Sequence, residues 1–490
     1  MPPKSNPSTG KSSKSNPSTG KSSKPEPSTT WQHITAEPSP PIGKRLRNRL
    51  PRVDQANLIL PEDRDPLTIL EKQHESRLQD LVPVRVGRML ESPFAFYRGT
   101  AAVMAADLRD APSTGVDVVA CGDAHISNFG FYATPERELV FDLNDFDEAA
   151  IAPWEWDVRR LAASVHIGGR ASGLSEEQCG EATLATVNAY GVVLRGLMRT
   201  SPIDRFYFTV DSSAVMKQMG DVATKAIRKA TKRTSAQVLS KIEIGISDGA
   251  PVIIDQPPIL CHVSDEYATR GQLIDLFDEY RGTVREDVGF FLGQFRVADF
   301  VLRVVGVGSV GTRCFLLGLT AQGQEVLFIQ VKEAQESVLN SFGGRPRRIP
   351  SVRAAFTQGH RVVAAQRVLQ AHSDPFLGWI AGRDARGRRA QGVDYYCRQF
   401  RDMKGAIDPS QLTDAGDFTR YGELCAGLLA RGHSQSASGG YLITGYIGAS
   451  MAFAEATAEW ARASGDVPER ASPSLQRAVK KGRFPAELGV

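Results

Sequence analysis

Asp123 and Asn128 stand five residues apart in Gly122-Asp123-Ala124-His125-Ile126-Ser127-Asn128. In phosphoryl transfer a carboxylate orients the attacking hydroxyl and accepts its proton, and an amide oxygen five residues on can hold magnesium. Asp145, in Asn144-Asp145-Phe146-Asp147, follows Asp123 by 22 residues and offers a carboxylate to bridge the metal and nucleotide phosphates. Asp142 and Asp147 are rivals for that role. Magnesium takes hard oxygen donors and usually only one or two protein carboxylates. Asp, Asn and Gly also gather in turns for purely local reasons. The order of polar motif, strand and acidic motif favours the chemical reading over that one.

A second group comes later, in Gly306-Val307-Gly308-Ser309-Val310-Gly311. In a dinucleotide-binding fold the third glycine opens a helix. Here Thr312–Leu319 is apolar and strand-like, so the context is strand, glycine loop, strand. That arrangement covers nucleotide phosphates in kinases. Gly306, Gly308, Ser309 and Gly311 are the candidate phosphate-facing residues. Lys332 follows Gly311 by 21 residues, where a lysine can pair with the α- and β-phosphates. The alternative is a hairpin whose glycines serve its turn. The usual kinase order runs from glycine loop and lysine to catalytic and metal loops. This chain reverses it, which one fold accommodates if the chain is circularly permuted, since domain termini often lie close together.

The elements that must position these groups are legible in outline. Residues 66–110 read as helices, with Leu67, Leu70, Leu78 and Leu81 spaced for a buried stripe. Val116–Ala120 and Glu138–Asp142 are short strands on either side of the polar motif. Helices are expected over Trp154–Arg170 and Glu176–Met198, and a basic helical stretch over 213–241, whose charges read as a solvated face. Strands at 300–305, 314–319 and 326–331 form a small antiparallel sheet by their turn chemistry. Helix 351–371, strand 394–400 and helices 411–432 and about 447–464 complete the pattern.

Composition narrows the class. With 490 residues, 41% hydrophobic and 23% charged, the chain is ordinary for a soluble globular protein. A net charge of +4, partly carried by the N-terminal tail, makes nucleic acid an improbable main partner beyond that tail. The tail repeats Lys-Ser-Asn-Pro-Ser-Thr-Gly-Lys-Ser-Ser from Lys4 and from Lys14, a composition expected to be disordered. Gly20-Lys21-Ser22 is no phosphate loop, because Ser15 stands where the first glycine belongs and no strand precedes it. Six scattered cysteines without a C-x-x-C pair argue against disulfides and structural zinc. No run of about 18 apolar residues predicts a membrane span, and the N-terminus lacks a signal-type apolar stretch. The expected location is the cytoplasm, with no membrane partner.

Residues Gly122–Ala163 resemble aminoglycoside-phosphotransferase-type kinases, which carry a G-D-x-H-x-x-N loop, a D-F or D-W loop and an Asp opening a helix in D-L-A. The matching residues here are Gly122–Asn128, Asp145-Phe146-Asp147 and Asp157-Val158-Arg159-Arg160-Leu161-Ala162. The resemblance implies Asp123 as catalytic base, Asn128 and Asp145 as metal ligands, His125 as a hydrogen-bonding brace and Asp157 as a buried brace of the catalytic loop. Residues from about 60 to 465 also resemble a bacterial family named domain of unknown function 2252. That resemblance rests on Pro93–Gly99, Gly122–Gly130, Asp142–Asp157, Tyr396–Gly405 and Ala430–His433. It implies a kinase-like fold and no substrate. One departure stands out: kinases pair the strand lysine with a glutamate on the next helix, and residues 351–371 contain none.

The sequence therefore predicts an α+β, protein-kinase-like two-lobe fold in circularly permuted order, with a small antiparallel sheet lobe and a large helical lobe. The expected segments are a disordered tail (1–55), helical-lobe residues with the catalytic and metal loops (56–205), a basic helical connector (206–290), the β-rich lobe (291–405) and the rest of the helical lobe (406–490). The expected activity is ATP- and Mg2+-dependent phosphotransfer, or nucleotidyl transfer from the same site, to a small-molecule or protein acceptor. Two alternatives stay open. One is a non-catalytic kinase-like nucleotide-binding module. The other is a metallophosphoesterase, which would read Asp123 and His125 as ligands of one metal, yet lacks a Gly-Asn-His segment.

Overall fold

The computed structural model describes residues 40–233, 244–247, 250–257, 260–262, 270–304, 310–322, 325–345, 357–383, 389–400, 403–436 and 439–489. Gly306, Gly308 and Ser309 of the glycine loop lie outside the described residues, as do the repeat tail and Lys241; Gly311 lies within them.

The chain is mixed α+β. Helices α1 (Pro40–Arg45), α2 (Pro66–His74), α3 (Val82–Met89), α4 (Pro93–Gly99) and α5 (Ala101–Leu108) come first. Residues 40–55, assigned by composition to the tail, are helical or in 3-10 turns and packed. Arg47 donates to the carbonyls of Gly445 and Tyr446, both at 2.9 Å, and Arg52 to that of Ile447 at 2.7 Å. Two arginines thus satisfy orphan carbonyls at the end of a C-terminal helix, which offsets the entropy of ordering a polar segment.

Two small antiparallel ladders frame the polar motif. Strand β1 (Asp117–Ala120) pairs with β4 (Ala150–Pro153), and β2 (Phe129–Ala133) with β3 (Leu139–Leu143). Nearly every residue of these strands is buried, so they read as continuous apolar runs. Helices α6 (Trp154–Ala171) and α7 (Glu176–Leu197) follow, then α8 (Pro202–Tyr207) and α9 (Ser212–Thr231). On α9 the buried stripe is Val215, Met219, Ala223, Ala226 and Ala230, while Lys217, Lys225, Arg228 and Lys229 are exposed.

The expected connector is not purely helical. It contains the hairpin β5 (Ile244–Ser247) and β6 (Ala250–Ile253), strand β7 (Leu260–His262), and helices α10 (Arg270–Arg281) and α11 (Glu286–Leu292). Strand β7 joins the six-stranded antiparallel sheet, whose order is β11-β12-β10-β9-β8-β7. Its other strands are β8 (Arg296–Arg303), β9 (Cys314–Thr320), β10 (Val326–Ala334), β11 (Gly378–Arg383) and β12 (Arg389–Gln399). The register seats Lys332 between Cys314 and Tyr396, and Gln330 between Leu316 and Arg398. Period-two alternation sends Ile329 and Val331 to the opposite face, where they pack with Phe277, Tyr280, Val288 and Leu292 of α10 and α11.

Helix α12 (Val338–Ser341) follows β10, and α13 (Gln358–Leu369) lies against β11 and β12. Helices α14 (Ala415–Ser434), α15 (Gly439–Ile447) and α16 (Ala452–Lys480) close the chain. They share the main core with α6, α7 and the two small ladders.

Candidate active site

The turn after β1 is built around Gly122, whose φ is +81°. A Cβ there would lie 2.1 Å from the Glu148 carbonyl oxygen, so the position demands glycine for both conformation and space. Asp157, in the first turn of α6 and 1% exposed, accepts hydrogen bonds from the backbone N–H groups of Cys121 (2.6 Å) and Gly122 (2.9 Å). Its Oδ2 lies 3.1 Å from His433 Nε2, and His433 Nδ1 lies 2.8 Å from the Tyr190 hydroxyl. The consistent assignment has Nε2 donating to Asp157 and Nδ1 accepting from Tyr190. A buried carboxylate is tolerated when charge and lone pairs are met in this way. Ser164 and Tyr421 hold the next turn, through the Ile126 N–H (3.0 Å) and carbonyl (2.7 Å).

Asp123 carries its carboxylate against Arg160 of α6. Arg160 Nε donates to Oδ1 at 2.9 Å, and the guanidinium lies 3.9 Å from the centroid of the Tyr97 ring. Burial raises the Asp123 carboxyl from its ordinary value, against the pull of Arg160. His125 departs from its expected role. Its Nε2 is 3.7 Å from Asp123 Oδ2, beyond a hydrogen bond, and its buried Nδ1 has no partner. Burial drives its pKa well down, so the ring is neutral. The bracing at this residue is done by the main chain: His125 N donates to the Asp123 carbonyl, and Asn128 N to the His125 carbonyl, both at 2.8 Å.

Asn128 Nδ2 donates to the Asp123 carbonyl at 2.7 Å, which leaves Oδ1 as the free acceptor. The three candidate carboxylates separate by their partners. Asp142 is buried and accepts from the N–H groups of Leu143 (2.9 Å) and Ala371 (3.1 Å), bracing the end of α13. Asp147 accepts from Lys332 Nζ and, at 2.8 Å, from the Tyr396 hydroxyl. Asp145 keeps its carboxylate the most open of the three, with Lys332 Nζ at 4.0 Å. Burial and the neighbouring Asp147 raise Asp145. Burial also opposes ionisation of Asp147, but Lys332 and Tyr396 outweigh it and its carboxyl lies below the usual range. The same two aspartates overcome burial at Lys332 and raise its pKa well above normal.

Among the described residues, no helix carboxylate pairs with Lys332. Helix α13 supplies Arg361 instead, which is 1% exposed and donates to the carbonyls of Asp147 (2.7 Å), Ala149 (2.5 Å) and Gln335 (2.8 Å). The contact between helix and acidic loop thus runs from guanidinium to main chain. The described end of the glycine loop is anchored as well: the Gly311 carbonyl accepts from Leu78 N at 2.7 Å, and Arg77 donates to the Val310 carbonyl.

Asp123, Asn128, Asp145, Asp147 and Glu148 line one cavity with Arg77, Arg85 and Arg98 of the N-terminal helical segment. Sequence reasoning did not place Arg77, Arg85, Arg160, Arg361 or Tyr396 in this site. Arg160 and Tyr396 stood in quoted segments, the helix-opening one and Tyr396–Gly405, without a role assigned. The donor set, one amide oxygen and one open carboxylate, fits a hard cation that keeps several waters. Among the described residues, no group of three or more His, Cys, Asp or Glu side chains is placed to hold a metal ion. A dinuclear phosphoesterase centre would need such a group.

The profile of the family described as "Uncharacterized protein conserved in bacteria" matches residues 77–474, well over half of the chain. The chain belongs to the DUF2252 family. Every described residue of the cavity lies inside the matched region of this DUF2252 member, save Gln73 at its edge. No curated protein and no solved structure matches the chain. Among the described residues of this family member, no helix is long and apolar enough to cross a membrane.

Proposed function

We propose that this DUF2252 protein is an ATP- and magnesium-dependent phosphotransferase with a kinase-like site in circularly permuted order. The observation that carries the reading is convergence. Asp123 and Asn128 share one cavity with Asp145, and Lys332, from a sheet strand far along the chain, reaches within 4.0 Å of Asp145. In this reading Asp123, oriented by Arg160, takes the proton of the acceptor hydroxyl. Asn128 Oδ1 and Asp145 would hold magnesium, which when bound would neutralise charge on the transferred group. Lys332 would exchange part of its Asp147 contact for nucleotide phosphate.

The permuted order has its own support. The segment after α14 meets β1, where Val119 N donates to Ser436 Oγ at 3.2 Å. A short connection across that contact would restore the kinase order of helix, catalytic loop and acidic loop. The lack of a helix glutamate for Lys332 favours a second reading, a nucleotide-binding module without turnover.

Thermal-shift titration with Mg-ATP tests both. The expected result is a concentration-dependent rise in Tm that Asp145→Ala abolishes. Asp123→Asn is expected to keep the rise and lose phosphoryl transfer to acceptors screened by ATP consumption. A wild-type protein indifferent to Mg-ATP overturns both readings. Binding without turnover on any acceptor supports the module.

A further inference from the structure

Arg85 is 1% exposed and stands on the wall of the cavity opposite the acidic residues. Its terminal nitrogens reach His74 Nε2 at 2.6 Å and the Gly99 carbonyl at 2.8 Å, and its buried Nε has no partner. Burial pushes the His74 pKa down to about 3, so that ring is neutral and supplies no counter-charge. Arg98, on the next helix α4, lines the same cavity, and among the described residues its buried Nε is also without a partner. Neither guanidinium forms an ion pair with a described carboxylate.

Arg85 is buried and Arg98 partly so; a buried guanidinium without an ion partner is costly, and a planar fork of donors matches an oxyanion. The acidic side of the cavity offsets them only in part: Asp123 and Asp145 attract Arg98, and Glu148 attracts Arg85, each from beyond ion-pair distance. Asp123 is paired with Arg160 and Asp147 with Lys332. Burial raises the Glu148 carboxyl to about 7, so much of its charge is suppressed at neutral pH.

We propose that Arg85 and Arg98 form an oxyanion site for the acceptor, which is a small molecule carrying a phosphate, phosphonate or carboxylate group beside the hydroxyl that reacts at Asp123. The assignment to the acceptor rests on the phosphotransferase reading; the oxyanion site itself does not. The two arginines come from α3 and α4, elements that contribute neither Asn128, Asp145 nor Lys332. The oxyanion site thus draws on different elements from those assigned to metal and nucleotide, although Arg85 and Arg98 share one cavity with Asn128 and Asp145.

The probe is inorganic phosphate, titrated by calorimetry into the full-length protein without nucleotide, with chloride at matched ionic strength as control. Wild type is expected to bind phosphate and not chloride. Arg98→Gln is expected to weaken phosphate at least about tenfold and to change the Kd for Mg-ATP less than about threefold, because a forked charged contact to the anion alone is lost. If that variant fails to fold, Arg98→Lys keeps the charge and removes the fork, and is expected to weaken phosphate about threefold or more. Unchanged phosphate affinity in a folded variant overturns the site. Equal weakening of phosphate and Mg-ATP, or displacement of phosphate by saturating Mg-ATP, assigns the arginines to the nucleotide and overturns the acceptor role. Arg98-dependent phosphate binding in a protein that ignores Mg-ATP leaves the oxyanion site standing and removes the phosphotransferase reading.

Discussion

Lys332 on β10 donates its ammonium group to the Asp147 carboxylate, which is 185 residues earlier in the chain and also bound by Tyr396 at 2.8 Å. The ammonium end is almost wholly buried. Removing one partner of such a pair strands the other, at a cost of about 3–5 kcal/mol. Lys332→Met is therefore expected to destabilise by roughly that amount, and Asp147→Asn by less, because Tyr396 can still donate to the amide oxygen. The double variant should be more stable than the sum of the two losses, with a coupling of about 1 kcal/mol or more. Urea unfolding of the four proteins measures this; strict additivity would refute the pairing.

Glu148 gives a pH signature. Burial raises its folded pKa to about 7 from an ordinary 4.5. The folded state then binds the proton more tightly than the unfolded chain. Stability from this group is full below 4.5, falls as pH rises between the two values, and is at its minimum above about 7. Glu148→Gln mimics the protonated form and can still accept from Val338 N. The variant should match wild type in acid and exceed it above neutrality by about 3 kcal/mol at most. Denaturant midpoints across that range decide it; a stability difference independent of pH would refute the assignment.

Asp157→Asn replaces a charged double acceptor with one oxygen and one amide donor. Two backbone N–H groups and His433 now face that side chain, so at least one donor meets a donor. The expected loss is about 2–4 kcal/mol, a buried hydrogen bond to a charged group plus an unsatisfied N–H. Amide exchange at Cys121 and Gly122 should accelerate more than in α14. Uniform acceleration would place the effect in the whole core instead of the turn.

Gly122→Ala combines a φ of +81° with a Cβ only 2.1 Å from the Glu148 carbonyl oxygen. The loop must shift, since the clashing atom is backbone. We expect a loss of about 2 kcal/mol or more and weaker Mg-ATP binding, read by thermal shift. Gly173→Ala is the control, with φ of +84° and no atom within 4 Å. Equal losses at both sites would mean that backbone conformation alone matters.

The legible part of this site was local. Asp123, Asn128 and Asp145 sit in short polar motifs between apolar strands, and Asp157 opens a helix, so type and spacing identified them. Lys332 was singled out through strand patterning, and its Nζ lies 4.0 Å from Asp145 Oδ2. Its partner was not legible, because Asp147 looked like a rival metal ligand and only tertiary register brings β10 above it. Among the described residues His125 Nδ1 has no partner, and its loop is held by main-chain donors and by Ser164 and Tyr421. Arg98 stood in a stretch that could face phosphates, with surface or structural pairing as the alternative; Arg77 and Arg85 lie beside or on other helices, and no period or motif links residues that meet only after packing. At the C-terminus, periodicity ended the last helix near 464, yet α16 runs to Lys480 through Pro468 and Pro473. Proline removes a donor and disfavours helix before it, but buried contacts of Leu475 and Ala478 with the N-terminal helices favour the longer helix.

Toward the acidic loop Arg361 donates to main-chain carbonyl oxygens, those of Asp147 and Ala149, and beside them to that of Gln335, while its Nε is held by Gln358 Oε1. Such a brace is indifferent to which side chains the acidic loop displays. A change at Arg361 would therefore alter that path without touching an acidic residue, whereas a change of side chain at position 147 acts on Lys332 and Tyr396 instead. The path of the loop and the charge it displays thus depend in part on different residues, Arg361 for the one and Lys332 with Tyr396 for the other.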